Sequence, residues 1–558
     1  MDLNNIDMLV TNHGSFAYDL ERGNPGFIYP RGSTKTALFA AGPWIGAKVN
    51  GQVRVALGEY SQEFVPGPMV NGTFQTDSPR FKNYKIVYGN TTSSDYLNWP
   101  ADQGAPVDPT GAPALLGEAM IWSVYNDADP AGHTNVSGST QPLGIEVQQT
   151  TFAFYHPGPI ANIIFVRYKL INKGGNTLDS MFISPWSDPD LGGFDDDLVG
   201  CDTTRSLGYV YNSTNNDPVY GSQPPAVGFR LLQGPVIPTG TPGVFDTLGL
   251  TSFHKYIGGN DPRNSVETYN YMKGLNANGS PVIDPLALQA TKFQVAGDPV
   301  AQTGWLDSNP ANRLFVLSTG PFTMAPGDSQ EIITAILVGQ GTDRLSSISD
   351  LRTAAALAKQ LYEAGFSPGI PTAVSAVLLD AQAEPGLVRL TWTSAGPSDF
   401  PAWVFRRDAN SDWSRIGVAL EDAAGRLVYE DRSVIGGRTY AYRLLVRDAY
   451  GEYTTEEVWI DVPEALPKTV RFDTPRPNPA GGNMYFAFTL PSPGRVRLAL
   501  YDASGKLAAL IDDSVHEAGL NVTPWNLRDG AKYLPSGVYL AVLESGRERR
   551  VKKLVVAR

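Results

Sequence analysis

The chain has 558 residues, 42% of them hydrophobic and 18% charged, with 57 Gly, 43 Pro and one Cys. That length exceeds what one hydrophobic core supports and predicts three or four packed units, and so little charge beside so much Gly and Pro predicts turn-rich β structure with little helix. No apolar run reaches the length of about 18 residues that a membrane-spanning helix needs, and the net charge of −12 argues against a nucleic-acid partner.

The charge is uneven. From Lys468 onward 14 Lys and Arg face 8 Asp and Glu, leaving 30 against 48 upstream. An acidic body with a basic tail allows head-to-tail attraction between copies; the alternative is that the tail charges form a solvated face. The first residues lack the basic and apolar segments of a secretory leader. Yet the single Cys and the abundance of Tyr, Asn, Gly and Thr read as an extracellular protein whose leader has been removed. Cys201 has no partner for an internal disulfide, so stability falls to burial, hydrogen bonds or metal.

Residues 1–345 read as a large β-sandwich body of one or two subdomains. Its first strand-like segment, Ile6-Asp-Met-Leu-Val-Thr-Asn12, is either an edge strand of its own domain or an extra strand for a neighbouring copy. Residues 44–60 alternate apolar and polar on both sides of Asn50-Gly51, a hairpin turn that wants positive φ. Two further hairpins are expected over 144–170 and between 313–318 and 331–338. The intervening stretches, 61–143 and 203–300, are crowded with Pro, Gly, Asn and Asp and read as long loops that carry contacts or function.

One helix is expected over 346–365. Ser349 or Asp350 caps its start, Leu351, Ala355, Leu357 and Leu361 form its apolar stripe, and Gly365 ends it. With the stiff segment that follows, residues 346–371 read as helix and linker.

The densest acidic stretch is Ser187-Asp-Pro-Asp-Leu-Gly-Gly-Phe-Asp-Asp-Asp-Leu-Val-Gly-Cys-Asp202. Its carboxylates Asp188, Asp190, Asp195, Asp196, Asp197 and Asp202 are hard oxygen ligands of the kind Ca²⁺ takes, and crowded carboxylates repel one another without a cation. The order of an EF-hand is absent, and the bland alternative is a surface loop whose Asp side chains cap turns. Asn126, Asp127 and Asp129 form a smaller group of the same kind. No catalytic constellation is visible: His13, His133, His156, His254 and His516 are scattered, and Cys201 has no His beside it in sequence. A pair of glycosidase carboxylates leaves no local motif, and Trp44, Trp99, Trp122, Trp186 and Trp305 are of the type that stacks on sugars.

Residues 372–465 carry Val388-Arg-Leu-Thr-Trp392, Trp403-Val-Phe-Arg-Arg407, Tyr429-Glu-Asp431 and Gly437-Arg-Thr-Tyr-Ala-Tyr-Arg-Leu-Leu-Val-Arg-Asp448. This stretch resembles a fibronectin type III domain. The resemblance implies a spacer or adhesive module, with Val388, Leu390 and Trp392 inward and Tyr440 or Tyr442 making a corner bond. Residues 466–558 carry Arg476-Pro-Asn-Pro479, Phe486-Ala-Phe-Thr-Leu-Pro491, Gly494-Arg-Val-Arg-Leu-Ala-Leu-Tyr-Asp502, Ser504-Gly505, Leu534-Pro-Ser-Gly-Val-Tyr-Leu540 and Lys552-Lys-Leu-Val-Val-Ala-Arg558. They resemble a type IX secretion C-terminal sorting domain and the immunoglobulin-like domain of flagellar hook-capping proteins. That implies passage through the outer membrane by the type IX machinery and a small sandwich, in which Val496, Leu498 and Leu500 are expected to face Val538, Leu540 and Val542.

The expected fold is all-β: a large N-terminal β-sandwich region, one linker helix, then two small immunoglobulin-like or fibronectin-like sandwiches. The expected function is a noncatalytic, secreted or surface structural protein that forms a homo-oligomer, filament or layer. The alternative is a surface carbohydrate-binding adhesin or glycoside hydrolase.

Overall fold

The computed structural model describes residues 1–557 except 62, 76–77, 156–157, 242, 367–375, 395–401, 423–425, 449–450, 456, 465–467 and 530–531. The expected linker beyond Phe366 therefore lies outside the described residues, as does His156. The molecule is mostly β, in three units with separate hydrophobic cores.

The body is built from β1 (Ala40–Val49), β2 (Gln52–Leu57), β3 (Ala119–Asn126), β4 (Ile145–Ala153), β5 (Ile163–Asn172), β6 (Leu178–Asp188), β7 (Asp197–Asp202), β8 (Leu207–Asn212), β9 (Ala226–Gln233), β10 (Ser252–Ile257), β11 (Arg313–Met324) and β12 (Ser329–Gly339). They form a nine-stranded sheet in the order β7-β8-β9-β12-β5-β4-β3, completed by short edge strands, and a five-stranded sheet in the order β10-β11-β6-β1-β2. Asn50 and Gly51 turn the β1–β2 hairpin with φ of 51° and 81°, as expected. Asp7–Met8 pairs with Phe27–Ile28 of the same body, the first of its two expected roles.

Both sheets are buried on both faces, which explains why their strands are apolar almost without interruption. In β5, Ile164, Val166, Tyr168 and Leu170 enter the core between the sheets, while Ile163 and Phe165 point the other way. In β1, Ile45, Ala47 and Val49 enter that core and Trp44 points outward.

Two helices cover the outer faces. The first, α1 (Ser265–Met272), lays Tyr269, Tyr271 and Met272 on the five-stranded sheet beside Trp44 and Trp186. The second, α2 (Arg344–Glu363), lays Ile348, Leu351, Ala354, Ala355, Leu357, Ala358 and Leu361 on the nine-stranded sheet. Close approach is possible because β12 ends in Gly339, where a Cβ would fall 2.2 Å from the Leu351 nitrogen. Helix α2 leads towards the second domain as expected, and it is also a packed layer of the body.

Four details depart from expectation. The segments 313–318 and 331–338 do not form a hairpin, because β11 and β12 lie in different sheets. The helix is capped two turns earlier than Ser349 or Asp350, by Asp343, whose carboxylate accepts from Leu345 and Ser346 while the Ser346 hydroxyl accepts from the Asp343 N–H. The stretch 61–143 is loop-rich but is interrupted by β3, and 203–300 contains β8, β9, β10 and α1, so neither is one continuous loop. Their many turn residues sit between strands that are themselves short or internal.

The second domain contains β13 (Ala376–Glu384), β14 (Leu387–Ser394), β15 (Ala402–Arg407), β16 (Ser414–Glu421), β17 (Arg426–Asp431), β18 (Thr439–Asp448), β19 (Gly451–Thr454) and β20 (Val458–Asp461). One sheet runs β13-β14-β17 and the other β16-β15-β18 with β19 and β20 on its edge, joined by short β16–β17 pairing. That is the fibronectin type III order. Val388, Leu390 and Trp392 are buried as expected, and the corner bond belongs to Tyr440, whose hydroxyl accepts the Ile435 N–H at 3.3 Å.

The terminal domain contains β21 (Met484–Leu490), β22 (Gly494–Tyr501), β23 (Leu507–His516), β24 (Gly519–Trp525), β25 (Gly537–Ser545) and β26 (Glu548–Val556). A sheet holding β21 and β24 packs on a four-stranded sheet ordered β23-β22-β25-β26. Asn478 of the Arg-Pro-Asn-Pro motif donates to the Lys553 carbonyl and accepts the Val555 N–H, both at 2.9 Å, and so ties the last strand down. Val496, Leu498 and Leu500 are in the core, but their partners on β25 are Tyr539, Ala541 and Leu543. Val538 and Leu540 lie on the opposite, exposed face, because a one-residue change of parity turns a whole strand over.

Candidate functional site

The acidic stretch spans the end of β6, a turn and β7, and the fold divides it into four groups. Asp188 ends β6 on the outer side of the five-stranded sheet, where its carboxylate accepts from the Tyr60 hydroxyl. Asp202 ends β7 and is consumed by cations: it pairs with Arg205 at 2.8 Å and Arg352 at 3.5 Å and caps the turn at Arg205. Asp195 is exposed. Only Asp190, Asp196 and Asp197 remain around the turn itself.

Two residues absent from the sequence reading join them. Asn212 donates from its side-chain NH2 to Asp196 at 3.0 Å and to Asp217 at 3.1 Å. Asp217 also accepts the Gly193 N–H at 2.9 Å, and Asp197 accepts the Leu191 N–H at 3.0 Å. The β7–β8 hairpin, which pairs Asp197 with Asn212, brings these groups together across a gap in sequence that no local motif could reveal. Asp197 is fully buried. Burial first, then the charges of Asp196, Asp190 and Asp217, push its carboxyl well above the usual range. Burial also raises Asp190 to about 6 and is the largest cause raising Asp196. The Oδ1 atoms of Asp190, Asp196 and Asp197 are buried without a hydrogen-bond partner. As placed, the side chains do not close on one point: among the described residues no three His, Cys, Asp or Glu groups stand ready to hold a metal.

The smaller group resolves differently. Asp127 accepts the N–H groups of Leu143, Gly144 and Ile145, Asn126 donates to the Gly67 carbonyl at 2.8 Å, and Asp129 accepts from Ala131. These are turn-holding bonds.

A second acidic centre went unseen in the sequence. Glu59, Tyr60 and Glu63 follow β2, and Tyr60 sets its ring edge-on to Trp186 at 5.1 Å, with Tyr18 at 5.4 Å on another side. Trp186 stacks on Trp44 at 6.3 Å and donates to the Tyr256 hydroxyl at 2.6 Å. Burial raises Glu59 to about 7, Glu63 to about 8 and Asp188 to about 7, and Asp190 is the next cause for Asp188. Tyr60 is 40% exposed, so this centre meets solvent on one side.

Nucleophilic chemistry finds little footing among the described residues. Cys201 is buried and its thiol is raised, mainly by burial. His254 is buried, stacked on Tyr271 at 4.1 Å and lowered to about 3 by burial. Ser514 and Asp512 both reach the same His516 nitrogen, Nε2, at 3.1 and 2.8 Å, whereas a serine relay needs the carboxylate on the other nitrogen.

No protein-family model and no curated protein matches this sequence. Among solved structures, the FN1–FN3 domains of chicken CNTN1 are similar at 13% identity, over 33% of this chain and 66% of that one, with a TM-score of 0.16. A two-domain fibronectin type III segment of chicken tenascin is similar at 12% identity, over 33% of this chain and 99% of that one, with a TM-score of 0.17. This chain thus spans just under two thirds of the first of these structures. No described helix is long and apolar enough to cross a membrane.

Proposed function

We propose that the protein is a noncatalytic structural protein of the extracellular space or cell surface, whose copies associate through the outer face of the terminal domain's four-stranded sheet. The observation that carries this reading is the row structure of that face. Leu507, Tyr501, Leu540 and Lys553 align across β23, β22, β25 and β26, and Leu510, Ala499, Val542 and Val551 form the next row. Leu507, Leu510, Leu540 and Val551 are each 44–47% exposed, and Val538 beside them is 48% exposed. Exposed apolar side chains gathered on one face in this way mark an interaction surface. Its occupant in this reading is the body of a second copy, because the terminal region's surplus of positive charge complements the acidic upstream region. Such head-to-tail contacts propagate into rings or filaments. The motif series of residues 466–558 supports a further role for this domain as a type IX sorting signal.

Sedimentation of the full chain at low and high salt tests the association. Oligomers that shrink with salt, and that the double substitution Val538→Ser, Leu540→Ser abolishes, are expected. A monomer at low salt and high concentration, or oligomers indifferent to the substitutions, overturns the reading.

The aromatic ledge of Tyr60 over Trp186, beside Asp188 and Glu59, favours a second reading, a surface glycan-binding site or glycoside hydrolase. Rings of this kind stack on sugars. Glycan-array binding or glycoside cleavage lost in Tyr60→Ala would establish it, and silence of the unaltered protein on both assays removes it.

A further inference from the structure

We infer that Asp190, Asp196 and Asp197 bind one Ca²⁺ ion at the turn between β6 and β7, with Asp217 and the Asn212 amide holding the turn behind them. Three Oδ1 atoms around that turn, of Asp190, Asp196 and Asp197, are buried without a hydrogen-bond partner, and the Asn212 side-chain NH2 ties Asp196 to Asp217. The decisive group is Asp197. One of its oxygens is spent on the Leu191 N–H, and the other is inside the protein with nothing to accept from. A buried acceptor with no donor costs free energy, and a buried carboxylate without a counter-charge costs more. Among the described residues no cation pairs with these carboxylates: Arg205 and Arg352 are engaged by Asp202 and Asp298, and Arg344 reaches the Asn212 carbonyl.

A hard divalent ion meets this need. Ca²⁺ takes about six to eight oxygens, from carboxylates, carbonyls and water, in a flexible arrangement. Asp190 and Asp196 are half-buried and so placed to rotate, and Gly192 and Gly193 between them let the turn close. Asp217 fixes the turn from its far side: it accepts the N–H groups of Gly193, Val219 and Tyr220, and the hairpin supplies Asp197 and Asn212. Asp188 and Asp202, at either end of the acidic stretch, are committed to Tyr60 and to arginines and take no part.

The test uses the full chain at pH 7.5 with Ca²⁺ by calorimetry and Tb³⁺ by luminescence. One site per chain is expected, with a higher melting midpoint of the body in Ca²⁺ than in chelator. Asp190→Asn and Asp217→Asn should each weaken binding by at least about tenfold, the scale on which even outer partners of a metal site act. Asp195→Asn, on the exposed part of the turn, should leave affinity unchanged. Should Asp217→Asn fail to fold, Asp190→Asn decides alone. A midpoint indifferent to Ca²⁺ and chelator, or weak binding that all three variants share equally, overturns the inference.

Discussion

In the body, Glu59, Glu63, Asp127, Asp188 and Asp197 all lie inside the protein, whereas in the second domain Asp431 is the one buried carboxylate and in the terminal domain there is none, among the described residues. Architecture accounts for the difference. The body has two sheets with covered outer faces, so even a strand end such as Asp188 is buried. A small sandwich has one thin core and sends every second side chain to water. The body therefore holds carboxylates in places where they need donors, protons or cations, and the small domains use charge as surface pairing, for example Arg389 with Glu430.

The covered outer faces are the part of this contrast that breaks most completely. A chain ending at residue 343 lacks α2 and exposes Phe152, Phe165, Leu207, Ile333 and Leu337 on the nine-stranded sheet. Burial of each such side chain is worth about 1.5–3 kcal/mol, so the body should lose its cooperative unfolding transition altogether. Circular dichroism melts check this. A truncated body that melts at the original midpoint would show that the helix is an attachment and not a layer.

Next in size is a single large core residue. Trp392→Ala removes a ring that is 1% exposed and should cost the second domain about 3–5 kcal/mol. Calorimetry of the full chain should show one transition moving while that of the body stays in place. Movement of both would mean that the cores are coupled.

The third expectation follows from the carboxylates. Glu59, Glu63 and Asp188 are raised from 4.5, 4.5 and 3.8 to about 7, 8 and 7, first by burial. The folded state binds protons that the unfolded state has released, so their stabilisation is full below about pH 4 and is lost as pH rises to about 8. Asp431 is opposite: burial alone would raise it, but bonds from Ser433, Tyr442 and Arg406 prevail and lower it. Its contribution is full above 3.8 and lost only in acid. From pH 5 to 8, in chelator, the body's midpoint should fall while that of the second domain holds level. Parallel movement of the two midpoints would refute the contrast.

The same contrast governs what could be read in the sequence. In the second domain, alternation at Val388, Leu390 and Trp392 names the buried face because one face is wet. In the body, alternation is erased where both faces are covered, as along Ile163–Asn172, and neither the two outer layers nor α1 could be anticipated. The acidic turn was visible as composition, but Asp217 and Asn212 join it only through a hairpin. Glu59 and Glu63 carry no local signal: Glu59 accepts from Asn135, far away in sequence, and Glu63 from the Leu57 N–H. In the terminal domain β25 reads Val-Tyr-Leu-Ala-Val-Leu from Val538, apolar at both parities, so the sequence does not choose the inward set. Tyr539, Ala541 and Leu543 take it.

The smallest effect separates the two tyrosines of β18. Tyr442 donates to the Asp431 carboxylate at 2.9 Å, and Arg406 binds the same carboxylate at 2.7 Å. Tyr442→Phe leaves that buried acceptor short of one donor, and hydrogen bonds to charged groups are worth about 1.5–3 kcal/mol. Tyr440 accepts the Ile435 N–H at 3.3 Å, a long bond to a neutral donor. Its ring stays useful without the hydroxyl, because the Arg406 guanidinium lies 4.8 Å from the ring centre. Ile435 is 56% exposed, so water replaces the lost acceptor. Tyr440→Phe should therefore cost no more than about 0.5 kcal/mol, the low end for a neutral bond. Denaturant titration of the second domain's transition in both variants measures the gap, and equal losses would mean that the corner bond, and not the Asp431 network, holds this sandwich together.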